Sequence, residues 1–238
     1  MISVILIEPE NPGNIGAIAR IMKNFDSSHL VLIDPKADPN SDEARARAMH
    51  GRDVLASAEI CGVEKLDEFD LLVATTAQLG TDYNLPRCVL NPSELAEKLA
   101  SVDAKSKIGI VFGRESNGLT NNEISRCDFS VSIQSSKKYP VLNLSVSAAI
   151  VLYEIFLKTG EDKSEGRIRL MDADEKKALQ KTLNEALDEM IFSTEEKRET
   201  QEILWKRLFG KAMITRREYN ALMGFLKKIT QRRLKEKK

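Results

Sequence analysis

Short apolar runs alternate with amphipathic stretches over residues 1–158, and this alternation predicts strands followed by helices. The runs are rich in Val, Ile and Leu, and each is bounded by Asp, Pro, Gly or Asn, as is typical of buried strands. They lie at 4–8, 30–33, 71–75, 108–112 and 129–133. We therefore predict an α/β fold in which helices cover a mainly parallel sheet.

Three helix starts carry the spacing of a capping box. In this motif the first side chain accepts a hydrogen bond from an early backbone N–H, and a glutamate three residues later reaches back. The pairs are Asn91 with Glu94, Thr120 with Glu123, and Thr215 with Glu218. The pattern predicts that helices begin at these three points.

The apolar pattern is interrupted at residues 159–169. This stretch holds Gly160 and Gly166 in a polar run of mixed charge, a composition typical of a linker. Beyond it, apolar positions again fall on single helical faces. We predict a domain at 1–158, a linker at 159–169 and a small all-helical extension at 170–238.

Charge is distributed unevenly along the 238 residues. The whole chain balances 36 Lys and Arg against 36 Asp and Glu, whereas residues 197–238 hold 14 basic and four acidic residues, so residues 1–196 hold 22 and 32. A basic segment attached to an acidic body indicates nucleic-acid binding. For the charge run at 231–238, a solvated helix end is the alternative.

Several classes of protein are disfavoured by the remaining composition. No apolar run is long enough to span a bilayer, and a strand-like run follows the first residue, so we expect neither a membrane protein nor an exported one. The three cysteines are widely separated and form no CxxC pair, which predicts neither disulfides nor a metal site. The pattern favours a reducing, cytoplasmic environment.

The first candidate site follows the first strand. Residues 8–20, EPENPGNIGAIAR, open a helix whose backbone N–H groups could hold an anion, but the glycine spacing matches neither the dinucleotide fingerprint nor the P-loop. Asn14 either caps this helix or serves the site. Arg20 needs either an internal acid or a ligand phosphate as its partner. The motif alone leaves both questions open.

Two later segments carry further candidates. Residues 108–119, IGIVFGRESNGL, run from a strand into a loop bracketed by glycines, at the strand end where open α/β sheets bind ligands. Its adjacent Arg114 and Glu115 could grip a polar substrate, and an ordinary turn is the alternative. Residues 138–149, KYPVLNLSVSAA, lead past Asn143 into an apolar helix, which alone indicates only packing.

Taken in order, the three segments closely resemble the signature motifs of SPOUT methyltransferases of the TrmH/SpoU group, and their arrangement is most similar to the TrmJ type. The resemblance covers residues 1 to about 157. It implies a SPOUT-type sheet with a C-terminal trefoil knot, a rare exception to the unknotted rule. It also implies S-adenosylmethionine as cofactor, a homodimer with active sites assembled from two chains, and methylation of the ribose 2′-hydroxyl at nucleotide 32 of the tRNA anticodon loop. The helical extension would help to hold the tRNA.

The resemblance also assigns roles to individual residues. The catalytic positions match Asn14, Arg20, Glu115 and Asn143. The cofactor would lie against Thr75, Thr76, Ala77, Gly113, Ile133 and Leu142. The candidates for RNA contacts are Arg20, Arg87 and Arg114.

The role of Arg20 stays open between general base and orienting group. A free guanidinium stays protonated beyond about pH 12, so orientation of phosphate and hydroxyl requires less explanation. Val141 departs from the family, because many relatives carry serine there, and this puts the target nucleotide and the efficiency in question. Two alternatives are a SpoU-type enzyme for ribosomal RNA or another tRNA position, and a knotted RNA-binding module without turnover.

Overall fold

The fold is built around one parallel sheet. The structure is a computed structural model that describes residues 2–77, 89–159 and 169–236. In these residues seven strands pair in the order β3-β2-β1-β6-β4-β7-β5, and every neighbouring pair is parallel. The strands are β1 Ile2–Ile7, β2 His29–Ile33, β3 Glu59–Cys61, β4 Leu71–Thr75, β5 Val89–Leu90, β6 Ile108–Phe112 and β7 Phe129–Val131.

Helices connect and cover these strands. They are α1 Pro12–Asn24, α2 Asp42–Ala48, α3 Arg52–Ala56, α4 Pro92–Ala100, α5 Asn121–Arg126, α6 Leu144–Thr159, α7 Ala173–Asp188, α8 Glu195–Ala212 and α9 Arg216–Glu236. Short 3-10 helices lie at Met49–Gly51 and Val63–Glu68. Over the described ranges no helix is both long and apolar enough to cross a membrane. The α/β prediction and the helical C-terminal region are confirmed.

All five predicted strands are present within two residues of the expected bounds. Their continuous apolar runs arise because both faces of the sheet are covered. Val4 and Leu6 of β1 pack in one apolar cluster with α1, whereas Ile5 and Ile7 pack in a second cluster on the opposite face. The strands missed by the sequence, β3 and β5, are the two edge strands, and neither contains a fully buried residue.

The three predicted capping boxes are confirmed at Asn91, Thr120 and Thr215. The start of α1 differs from one of the alternatives considered above. Its N-cap is Asn11, whose side chain accepts from the backbone N–H of Asn14 at 3.1 Å. The alternative in which Asn14 caps α1 is therefore wrong, and the Asn14 amide is available for other contacts.

The helices α7 to α9 have their own apolar core and also pack on the sheet domain. The Asp128 carboxylate, at the start of β7, accepts from the Lys176 ammonium at 2.5 Å and from the Leu72 backbone N–H at 2.8 Å. Lys206 donates to the Ser125 carbonyl oxygen at 2.8 Å. Burial lowers the pKa of Lys206, and the nearby Asp128 opposes that shift. Asp128 is thus the buried charge at which the extension meets the domain.

Two predictions on organisation stay predictions. Most of the linker at 159–169 lies outside the described residues, since α6 ends at Thr159 and the next described residue is Arg169. The boundary between the domain at 1–158 and the extension at 170–238 is likewise untested. The trefoil knot that the resemblance implies also stays a prediction.

Replacing Asp128 with alanine should destabilise the protein by about 2–4 kcal/mol, because the half-buried Lys176 and Lys206 lose their nearby acid and the Leu72 N–H loses its acceptor. Urea unfolding measures the loss. The matched control is Asp188→Ala, which breaks the exposed pair with Arg198 and should cost less than about 1 kcal/mol. Equal losses in the two variants would contradict a docking role for Asp128.

Candidate active site

A cleft of about 830 Å³ opens at the carboxyl ends of β4, β6 and β7. All six residues predicted to bind the cofactor line this cleft: Thr75, Thr76, Ala77, Gly113, Ile133 and Leu142. Glu115 and Asn143 also line it. The predicted Arg87 lies outside the described residues.

The loop from Gly113 to Gly118 forms one side of the cleft and closes on itself. The Arg114 N–H donates to the Gly118 carbonyl at 3.2 Å, and the Gly118 N–H donates back to the Arg114 carbonyl at 2.9 Å. Gly118 has a φ of 66°, a conformation that favours glycine. A Cβ on Gly113 would lie 2.2 Å from the Gly118 carbonyl carbon. Both glycines are therefore needed for this turn, which presents backbone groups to the cleft.

Arg114 ties the loop to its surroundings. Its guanidinium donates to both carboxylate oxygens of Glu123 at 2.9 and 3.1 Å and to the Glu8 carboxylate at 2.8 Å. Only 14% of its side chain is exposed. These contacts favour a structural role for Arg114. The RNA contact predicted for it stays a prediction.

The two carboxylates around Arg114 have lowered pKa values. For Glu8 the main cause is the hydrogen bond from Arg114, followed by that from Lys36. For Glu123 burial raises the pKa, but the hydrogen bonds from Arg114 and from the Thr120 backbone together outweigh it. The same contacts raise the pKa of Arg114, so the cluster is fully ionised at neutral pH.

Glu115 joins the first two motifs. Its carboxylate accepts from the backbone N–H of Glu10 at 2.8 Å, from that of Asn11 at 3.2 Å and from the Asn14 side-chain amide at 2.9 Å. A second contact joins the same two segments: the Glu10 carboxylate accepts hydrogen bonds from the backbone N–H and from the hydroxyl of Ser116. The loop before α1 is thereby fixed against the cleft wall. The sequence did not single out Glu10, which lies among several other acidic residues with no distinguishing spacing.

Asn14 carries the chain of hydrogen bonds on to the third motif. Its side-chain oxygen accepts from the Asn143 amide at 3.2 Å, and the Asn143 oxygen in turn accepts from the backbone and hydroxyl of Ser145. Three of the four predicted catalytic residues, Asn14, Glu115 and Asn143, thus form one hydrogen-bonded chain. Val141, at the same cleft, is 58% exposed and offers no hydrogen bond from its side chain.

Arg20 does not line the cleft formed by its own chain. It lies six residues after Asn14 in α1, which corresponds to about 9 Å along the axis and about 600° of rotation. Its side chain is exposed and does not line the cleft. Among the residues that the structure describes, Arg20 has no hydrogen-bond or ion-pair partner. This favours a ligand over an internal acid as its partner.

Metal ligands and reactive thiols do not contribute to the described site. In the ranges that the structure covers, no group of His, Cys, Asp and Glu could hold a metal ion. Burial raises the pKa of Cys127 to about 12, so its thiol stays protonated. The polar chemistry of the cleft rests on amides, a carboxylate and backbone groups.

The fold is α/β, and its cleft lies at the carboxyl ends of parallel strands, the position where open α/β sheets bind ligands. Residues 1–153 match the family described as SpoU rRNA Methylase family. The chain belongs to this family and is a methyltransferase, which confirms the predicted family and class of enzyme.

Relatives extend the match beyond the sheet domain. The chain is 40% identical over 230 residues to a protein named tRNA (cytidine-2′-O-)-methyltransferase TrmJ of Methanocaldococcus jannaschii, covering 95% of this chain and 99% of that one. It is 35% identical to a TrmJ of Pseudomonas aeruginosa, over 94% and 92% of the two chains. The crystal structure of TrmJ from Z. mobilis shares the fold at a TM-score of 0.73 and 23% identity, covering 96% of this chain and 99% of that one.

Replacing Arg114 with glutamine should lower the unfolding temperature at pH 7, because Glu8 and Glu123 lose their cation. Both carboxylates have pKa values below 4.5 in the fold, so their contribution is present above pH 4.5 and is lost as the pH falls through the lowered values. The difference between wild type and variant should therefore shrink below pH 4.5. Thermal unfolding between pH 7 and pH 3 measures it.

The control for this variant is Arg126→Gln, which removes an ion pair with the exposed carboxylate of Asp67. It should change the unfolding temperature little at any pH in this range. A difference between Arg114→Gln and wild type that stays constant down to pH 3 would contradict the assignment of the two lowered pKa values.

Proposed function

We propose that the protein transfers a methyl group from S-adenosylmethionine to a ribose 2′-hydroxyl of tRNA, at nucleotide 32 of the anticodon loop. The observation that carries this proposal is the hydrogen-bonded chain from Glu115 through Asn14 to Asn143 beside the cleft. The names of the TrmJ relatives support the tRNA ribose as substrate. The motif resemblance supports nucleotide 32, and the substrate and the cysteine pattern favour the cytoplasm.

The residues of the cleft fit the proposed cofactor. A volume of about 830 Å³ falls within the usual range for small-molecule sites. Ile133 and Leu142 supply apolar surface, and the turn at Gly113 presents backbone groups where a side chain would block approach. When bound, S-adenosylmethionine supplies an electrophilic methyl group.

The remaining task of the site is to orient a weak nucleophile. A ribose hydroxyl reacts only when it is aligned with the methyl group and can lose its proton. Neither histidine lines the cleft of its own chain, since His29 hydrogen-bonds Ser3 of β1 and His50 lies in the 3-10 helix after α2. The amide of Asn143 lines the cleft and can bind polar groups of the substrate, and Asn14 holds it there by a hydrogen bond. We assign Arg20 to hold the substrate phosphate and orient the hydroxyl.

Glu115 has a different role from the other three residues. Its carboxylate already accepts three N–H donors, all from the loop and first turn of α1. It therefore acts as a positioning residue that sets Asn14 relative to the cleft. This role explains why an acid is needed in the second motif without requiring it to take the proton.

The position of Arg20 supports a homodimer. Val146, Tyr153 and Leu157 of α6 are each 45–52% exposed, and their spacing of seven and four residues puts them on one helical face. A second copy packed on this apolar face would cover it. In such a homodimer, Arg20 of one protomer completes the cleft of its partner.

The helical extension supports tRNA as the substrate. Its last described helix, α9, exposes Arg216, Arg217, Lys227 and Lys228. Cations of this kind bind the phosphate backbone without reading sequence. The extension is also covered by the match to the M. jannaschii relative, which spans 95% of this chain.

Methyl transfer from labelled S-adenosylmethionine to total tRNA should be detected, and mapping should place the modified ribose at nucleotide 32. Ribosomal RNA serves as the comparison substrate, because the family description names it. Transfer to ribosomal RNA alone would replace the proposed substrate. Binding of the cofactor with no transfer to either RNA would favour the module without turnover.

Arg20→Ala should abolish transfer while leaving cofactor affinity unchanged, because Arg20 is assigned to the substrate phosphate and not to the cofactor. Leu142→Arg should block the cleft and prevent cofactor binding. Mixed dimers of these two inactive variants should regain about a quarter of wild-type activity, since half the dimers are mixed and each holds one intact site. The measurement is methyl transfer after subunit exchange.

Each homodimeric variant assayed alone is the control for this experiment. Absence of any recovery, when mixed dimers are shown to form, would mean that Arg20 serves the cleft of its own chain. Wild-type turnover by Arg20→Ala would remove Arg20 from the mechanism altogether.

A further inference from the structure

A second exposed arginine, Arg47 of α2, lies where α2 packs on α1 near Arg20. Helix α2 crosses α1 so closely that a Cβ on Gly16 would lie 2.1 Å from the Ala44 carbonyl oxygen and 3.0 Å from the Cβ of Arg47. Gly16 and Arg20 are four residues apart and therefore neighbours on one face of α1. The close crossing puts the Cβ of Arg47 beside Gly16, one helical turn before Arg20 in α1.

The segment after α2 packs next to the same turn. A Cβ on Gly51 would lie 2.8 Å from the Cα of Arg20. The chain from Arg47 to Gly51 thus follows α1 from Gly16 to Arg20. We call Arg20 and Arg47 the arginine pair.

The other charges around the arginine pair have partners or point elsewhere. Lys23 is paired with Asp53, and Arg45 lies 4.0 Å from Asp42. The Arg52 side chain donates to the Arg45 carbonyl at 3.2 Å. The Glu43 carboxylate, one turn before Arg47, lies beside Gly13 at the start of α1. No acid neutralises the pair itself within the described part of the chain.

The chemistry of the pair fits a phosphodiester backbone. Two exposed guanidinium groups on packed helices, with no acid beside them among the described residues, make a positive surface that attracts an anion. A guanidinium presents its N–H groups in a planar fork that matches phosphate oxygens. RNA carries such a phosphate at every nucleotide.

We propose that Arg47 is a substrate-positioning residue that binds the RNA backbone next to the phosphate held by Arg20. This inference rests on the proposed function, because it takes Arg20 as a residue at the substrate ribose. Arg47 adds binding energy for the RNA strand and fixes the strand against α1. It takes no part in bond making or in cofactor binding.

The test compares Arg47→Ala with Arg45→Ala, which removes the same charge from the same helix two residues away. For Arg47→Ala the KM for tRNA should rise about tenfold, as expected for loss of a charge-assisted phosphate contact, and kcat should change less than about threefold. The slope of log affinity against log salt should fall by about 0.7–0.9 in magnitude. Arg45→Ala should change KM less than about twofold.

Arg47→Lys tests whether RNA binding needs only the positive charge or also the planar shape of the guanidinium group. It should keep the salt slope of the wild type and recover only part of the KM, because lysine provides a point charge without the planar fork. Cofactor affinity and the unfolding temperature should be unchanged in all three variants. These two readouts exclude a merely structural effect at the crossing of α1 and α2.

The outcomes distinguish the inference from the proposed function. Similar KM values for Arg47→Ala and Arg45→Ala, with wild-type transfer to tRNA intact, would overturn the inference alone. A wild-type protein that binds tRNA but transfers no methyl group would overturn the proposed function, and the salt slopes of the variants would still decide the role of Arg47. A wild-type protein that binds no tRNA would overturn both.

Discussion

The geometry of the site depends on the hydrogen bonds that the Glu115 carboxylate accepts. It accepts hydrogen bonds from three N–H groups that lie 101 to 105 residues earlier in the chain. Through Asn14 the same chain of bonds reaches Asn143, which lies 129 residues after Asn14 in the sequence. The parallel strands bring these segments to one edge of the sheet, and this set of bonds fixes the side chains of the three motifs relative to one another.

Arg114 and Glu115 show why adjacent charges in one loop can act separately. Arg114 turns towards Glu8 and Glu123, whereas Glu115 turns towards α1. The cationic Arg114 and the anionic Glu115 therefore connect the same loop to two different neighbouring segments. From the sequence, the pair indicated a site that grips a polar substrate, and the structure shows both side chains largely occupied by protein partners. The adjacent charges marked a loop that lines the cleft, but they did not reveal these contacts.

The predictable part of the fold is the part where burial alone selects the residues. The central strands are covered on both faces, so continuous apolar runs reveal them, whereas β3 and β5 at the edges are short and half-exposed. The cap of α1 was harder to assign, because Asn11 and Asn14 are both suitable residue types three positions apart. No pattern in the sequence indicated the role of Asp128, because its partners Lys176 and Lys206 are distant in sequence. Contacts between remote charged groups leave no periodic pattern.

The charge distribution explains how an acidic body can accept RNA. Residues 1–196 carry ten more acidic than basic residues, so most of this surface repels a phosphate backbone. The arginine pair is an exception on this body, and the basic residues of α9 form a second attractive region on the extension. In the proposed dimer, the arginine pair would attract the RNA backbone to the place where Arg20 of one protomer meets the cleft of its partner. Repulsion elsewhere would orient the strand before any specific contact forms, and the extension would supply affinity without competing for the cleft.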